Sequence, residues 1–289
     1  VAAMLAMGTC LYAQQQQPPA GQTQPGTAPA TAQGTAAPAQ GKRPPQAKTQ
    51  PEFDDYNKAK GLLGDPAALE KAVDEFATKY PDSELTILLY RDAMHAYQNA
   101  NNADKMLEMG RKVLKVDPDD PEALIGVAEV MVERTRDTDL DKDQRLAEAT
   151  KNAQHALETI DNIAIPAGTP QERVDAYKGF MRSSAYAILG TLSFNQEKYG
   201  DAEGQFRKSI DAYTAQPDPV VVLRLAVALD RQGKYPEALK EANRAVELTK
   251  ENTPAGTAAR RERDRLVQLT GGLLPAPASP PTQNTAPKN

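Results

Sequence analysis

The 289-residue sequence holds one cysteine, Cys10, and two histidines, His95 and His155. Cys10 falls in an apolar opening stretch that reads as a leader. Once that stretch is removed no cysteine remains, which excludes disulfides, thiol catalysis and cysteine metal sites together. Neither histidine has the convergent partners that metal binding or acid–base work needs, so both read as partly exposed helix residues. There is no GxSxG, HExxH or CxxC, and the nearest approach to a phosphate loop, residues 34–42, has the wrong spacing. No catalytic residue, no cofactor and no enzyme activity is expected. Long hydrophobic runs are also missing: residues 1–13 (VAAMLAMGTCLYA) are too few to cross a bilayer as a helix. Acidic residues are absent before Glu52 and after Asp264. The chain as a whole carries −5, and four of its cations, Lys42, Arg43, Lys48 and Lys288, lie outside residues 51–270, so that body carries −9. Such a surface disfavours nucleic acid and anionic membranes as partners.

The ends differ in composition from the middle. Residues 1–13 look like the apolar region and cleavage site of a secretory signal peptide whose basic start is truncated. The expectation is export to the periplasm. Lipid anchoring at Cys10 is disfavoured, because Met7, Gly8 and Thr9 make a poor lipobox. Residues 14–52, rich in Gln, Pro and Ala, offer almost no large apolar side chain to bury and read as a disordered linker. Residues 271–289 read as a disordered tail.

The middle is periodic. Tyr199 and Ala202 recur 36 residues later as Tyr235 and Ala238, each within an amphipathic helix-turn-helix pattern. One such pair cannot bury its apolar face alone, so a period of this size indicates stacked helical pairs. The first copy places Tyr186, Leu189, Gly190 and Ser193 on its first helix and Ala202, Phe206 and Ser209 on its second. The second copy places Val222, Leu225, Ala226 and Leu229, then Ala238, Ala242 and Ala245. These residues resemble the tetratricopeptide repeat. The resemblance implies an all-α, right-handed superhelix of about five helix pairs over residues 53–250, closed by a polar-faced capping helix over 251–270. Small Gly190, Ala202, Ala226 and Ala238 stand where the paired helices must approach, with Tyr186 and Phe206 filling the wider gap.

The pairs are legible in order. Asp65–Pro66 and Asp120–Pro121 are cap-plus-proline starts. Thr169, Pro170 and Glu172 read as a capping box that opens a long helix through Asn195. An inserted loop over 135–144 delays one second helix. With Asp137, Asp139, Asp141, Asp143 and Glu148 it matches places 1, 3, 5, 7 and 12 of a calcium loop, but Lys142 stands where the turn needs Gly and Gln144 where an apolar residue is usual. A solvated loop whose aspartates cap the next helix is the preferred reading, and no metal is expected.

In this family partners lie along the concave face of successive first helices. The resemblance places there Arg91, His95 and Gln98; Ile125, Glu129 and Val132; Ala187, Thr191 and Phe194; Leu223, Val227 and Asp230. The clamp by which chaperone-binding members hold a terminal carboxylate needs Asn and Lys where this chain has His95 and Glu122, which disfavours that partner. The expectation is a non-catalytic scaffold holding a protein or peptide segment, against a face covered by the long helix, by the last helix or by a second copy in a homo-oligomer. A narrower alternative is an envelope-assembly or cell-wall-coordination adaptor, suggested by the export signal and by FATKYPDS at 76–83. From another class, a calcium-binding or helical-repeat enzyme would need the aspartate loop to order a site.

Overall fold

Aspartate followed by proline opens three helices: the carboxylates of Asp65, Asp120 and Asp218 accept from the backbone N–H groups of Ala68, Ala123 and Val220, with Pro66, Pro121 and Pro219 next in line. The side chain satisfies an otherwise orphan donor, and proline gives up none that the helix needs. The computed structural model describes residues 42–271; the expected leader, residues 272–289 of the expected tail and residues 14–41 of the expected linker lie outside them. Among the described residues there are eleven α-helices and no strand. They pair as α1 (Gln50–Lys60) with α2 (Pro66–Lys79), α3 (Thr86–Asn99) with α4 (Ala103–Val116), and α5 (Pro121–Arg134) with α6 (Lys142–Thr159). Two further pairs follow, α7 (Gln171–Asn195) with α8 (Tyr199–Ala212) and α9 (Pro219–Arg231) with α10 (Tyr235–Glu247), and α11 (Pro254–Thr270) ends the stack. A 3-10 turn, Ile160–Asn162, follows α6.

Three apolar clusters run along the stack instead of one central core. The small side chains on second helices decide how closely each pair meets: Ala149, Ala153, Ala156, Ala202, Ala238, Ala242 and Ala245 are fully buried. Gly190 faces Phe206 so closely that a Cβ there would lie 2.5 Å from the ring. Ser183 and Ser209 meet inside the same pair, hydroxyl to hydroxyl at 3.0 Å, and the Ser209 hydroxyl also donates to the Ser183 carbonyl at 2.7 Å. A buried polar pair satisfied in this way carries little penalty.

The turn inside three pairs uses one left-handed residue: Asn101 (φ 55°), Glu197 (φ 60°) and Gly233 (φ 74°). An L side chain is disfavoured there, and Glu197 is exposed with only its backbone serving the turn. Glu197→Gly, which copies Gly233 one period later, is expected to raise stability by about 0.5–1 kcal/mol, read as a rise in the denaturant midpoint.

Two starts differ from the sequence reading. The capping box lies at Thr49 and Glu52, where the Thr49 side chain accepts from the Glu52 N–H and the Glu52 carboxylate accepts from the Thr49 N–H, so α1 starts at Gln50 instead of residue 53. At α7 no box forms. Pro170 takes the cap position in an extended conformation, and the Thr169 hydroxyl turns back to donate to the Pro166 carbonyl at 2.8 Å. Upstream of α1, residues 42–49 run without helix across the stack. The Lys42 N–H donates to the Asn162 carbonyl at 3.1 Å and its ammonium meets Asp117 at 2.7 Å. Arg43 pairs with Glu84 at 2.5 Å, and the Lys48 ammonium donates to the Asp82 carbonyl at 2.6 Å.

His155, on α6, joins two pairs: Nε2 lies 2.7 Å from Asp119 and Nδ1 3.2 Å from Glu158. These two carboxylates, Asp119 first, raise its pKa above the ordinary 6.5. A raised folded pKa contributes stability that is complete below the unfolded value and fades as pH climbs through the folded one. The gap in melting temperature between the parent and His155→Gln is therefore expected to be wider below pH 6.5 than in alkaline buffer; a gap independent of pH would refute the pairing.

Candidate functional site

The face made by the first helices has two parts. Towards the N-terminal end α3, α5 and α7 enclose a charged cluster. Arg91 on α3 pairs with Asp120 and lies 3.5 Å from Glu122, while His95 Nε2 lies 3.2 Å from the other Glu122 oxygen. The Tyr177 hydroxyl, reaching across from α7, donates to Glu122. His95, expected as a partly exposed residue, is buried at 6% exposure, because α7 closes over it. Burial alone would raise the Glu122 carboxyl, but Arg91, His95 and Tyr177 outweigh it and hold it down at about 2. Asp120 shifts the other way, since burial outweighs its share of Arg91. The acids and bases here are committed to one another.

Beyond the cluster the same face opens. A narrow void of about 20 Å³ is lined by Gln98, Ile125, Glu129, Phe180 and Ser184. It leads to a cleft of about 540 Å³ between α5, α7 and α9. One wall is α5, with Glu129, Val132 and Glu133; the floor is α7, with Ser184, Ala187, Ile188 and Thr191; the far wall is Val220, Val221 and Arg224. A depression along α2 is larger, about 640 Å³, but a single helix face lines it, so nothing converges there. The cleft lining contains hydroxyls, carboxylates and one guanidinium, and no His, Cys or Lys.

The expected site residues separate into two groups. Arg91, His95, Gln98, Ile125, Glu129, Val132, Ala187 and Thr191 follow one continuous face from the cluster into the cleft. Phe194, Leu223, Val227 and Asp230 do not line the cleft. Phe194 packs edge-on to Tyr199 with ring centroids 5.2 Å apart, and Leu223 packs on the third apolar cluster. Asp230 is taken by Arg265 of α11 at 2.5 Å, with Leu266 fully buried beside it, so the last helix takes up that end of the face. The sequence reading missed Glu133, Ser184, Asn195, Asp218, Val221 and Arg224. The available signal was the link before α9, which near Gln216 is about two residues longer than the repeat needs and lies on the cleft rim.

The aspartate loop does not close on a point. Asp137 is paired with Lys142 at 2.7 Å and Asp139 with Arg145 at 3.5 Å; Glu148 faces Arg111 at 3.7 Å. Asp141 stands at the cap of α6 without a capping bond, its carboxylate 3.9 Å from Arg145, and Asp143 is exposed in the first turn. Among the described residues no group of three or more His, Cys, Asp or Glu converges as metal ligands would. The residue that spoils the calcium pattern, Lys142, is itself the counter-ion.

The sequence matches no protein-family model and no curated protein. The fold has solved counterparts. The Pseudomonas aeruginosa pilF protein superposes with a TM-score of 0.53 at 16% identity, over 76% of this chain and 85% of its own. The chain has the tetratricopeptide-repeat fold. Two further structures are similar at lower scores: the repeat protein TTC0263 of Thermus thermophilus (TM-score 0.44, 16% identity, 75% and 99% of the two chains) and MamA (0.42, 16%, 62% and 85%). In tetratricopeptide terms the cleft lies on the first-helix face of the third to fifth pairs. Among the described residues no helix of this solenoid is long and apolar enough to cross a membrane.

Proposed function

We propose that this tetratricopeptide solenoid is a non-catalytic interaction scaffold that holds a segment of a partner protein in the cleft between α5, α7 and α9. The observation that carries the reading is the cleft itself: about 540 Å³ on the first-helix face, walled by apolar and polar side chains on rigid helices, and open where the final helix leaves it uncovered. A preformed surface of this kind binds with little ordering of the receptor. The apolar stretch at residues 1–13 supports export to the periplasm, where an envelope-assembly role is the narrower form of the same idea. The test is crosslinking capture from envelope extract, with the parent beside a Ser184→Arg, Val220→Glu variant of unchanged helicity. Proteins captured by the parent and lost by the variant are the expected result. Identical capture by both would remove the cleft as the site, and capture of nothing by either would end the scaffold reading. Retention of the full chain in the cytoplasm would end the export reading.

A further inference from the structure

The charges of the cleft do not balance. Glu129 and Glu133 stand one turn apart on the same face of α5, and Asp218 faces them from the rim. Like charges at this spacing oppose each other on a helix. Among the described residues no cation forms an ion pair with Glu129 or Glu133. The one guanidinium in the lining, Arg224, donates to the Thr191 hydroxyl at 2.8 Å, and its single positive charge stands against the three acids. The Asp218 carboxylate accepts from the Val220 N–H at 2.8 Å, which leaves its negative charge uncompensated. Opposite these acids the cleft is apolar: Ile188 and Val221 are buried at its base and Val220 is 36% exposed at its edge.

Resting on the reading of the cleft as a segment-binding site, we infer that its occupant is a cationic amphipathic segment: apolar side chains against Ile188, Val220 and Val221, and a lysine or arginine between Glu129 and Glu133. Charge complementarity argues for this over a neutral or acidic segment, since the half-buried Glu129 beside the exposed Glu133 favours a cation and penalises a like charge. A second copy is the poorer fit, because the solenoid body carries −9 and would meet the cleft acid to acid. The titration of Glu129 agrees: burial, then the neighbouring Glu133, push it up to about 7. Among the described residues the other charged groups around it are Asp218 and Arg224 on the cleft side and His95 and Glu122 on the cluster side. A cation seated beside Glu129 would draw its pKa down, so binding near neutral pH should release a proton.

The probe is a labelled leucine/lysine amphipathic peptide of about 15 residues, long enough for a helix to form on the surface. Leucine/glutamine and leucine/glutamate peptides of the same pattern accompany it. Each is titrated by anisotropy into the full chain, into Glu129→Gln, Glu133→Gln, and into Glu247→Gln, Glu251→Gln, an exposed pair elsewhere that controls for net charge. The lysine peptide is expected to bind about tenfold tighter than the glutamine peptide. That preference should vanish in the first variant and persist in the second, and calorimetry in two buffers should show proton release only where it persists. Equal binding of lysine and glutamine peptides, or a preference kept by the first variant, overturns the cation while leaving the cleft a segment site. Tightest binding of the glutamate peptide overturns the charge argument outright. Binding of none, with self-association that the Ser184→Arg, Val220→Glu variant abolishes, assigns the cleft to a second copy and overturns both.

Discussion

Arg91→Met is expected to remove about 3–5 kcal/mol of stability at neutral pH, because it leaves two carboxylates, Asp120 at 2% exposure and Glu122 at 8%, without their shared guanidinium. Methionine fills much of the arginine stem's volume, so little of the loss comes from packing. The loss should shrink in acid. In the parent the Glu122 carboxyl is held below its ordinary 4.5, so its contribution is present above that value and disappears as pH falls through the folded one. In the variant the carboxylates can take up protons at higher pH, which relieves the penalty. Denaturant midpoints at neutral pH and near 4.5 check this, and a gap that stays constant or widens in acid would show that the cluster is not the cause.

Gly190→Ala should destabilise by about 1–3 kcal/mol even though alanine is the better helix former, and Gly190→Val by more. The added Cβ would stand 2.5 Å and 2.6 Å from two carbons of the Phe206 ring, which is fully buried and cannot swing into solvent. Gly204→Ala gives the contrast: nothing lies within 4 Å of a Cβ at that position in α8, so it should stabilise by about 0.5–1 kcal/mol. Opposite signs for the same substitution isolate the approach of α7 to α8 as the cause. Shrinking the ring should rescue the first variant, so that Gly190→Ala, Phe206→Leu loses less than the sum of its parts. Additive losses would contradict the contact.

Much of this was legible in the sequence because the determinants are local or periodic. Gly190, Ala202 and Ala238 were placed by spacing and lie buried at helix approaches. Asp65 and Asp120 were placed as caps by the proline that follows each, and both cap. The capping boxes were harder, since Thr-x-x-Glu is common and the outcome depends on the chain before it. At Thr49 the extended run from Lys42 holds the threonine open to the helix, whereas at Thr169 the turn from Pro166 takes its hydroxyl. What could not be read was long-range. The Arg265–Asp230 pair that brings α11 to the end of the face joins residues on different elements, as does the Tyr177–Glu122 bond beside His95's own contact with Glu122. The repeat register places Asp230 and His95 on the right face; it does not say what else arrives there.

The run of residues 42–49 also sets how the molecule would carry a pull. Tension on the chain ahead of Lys42 does not reach α1 first; it falls on the fastenings at Asn162, Asp117, Glu84 and the Asp82 carbonyl. These are exposed contacts screened by water and salt, each worth little, whereas the helix pairs behind them are held by buried apolar clusters. Under load they would part in sequence from Lys42 inwards, adding about 25–30 Å of free contour before a helix is stressed. A pull from that side would thus be met by slack first, and none of the fastenings it would break lines the cleft.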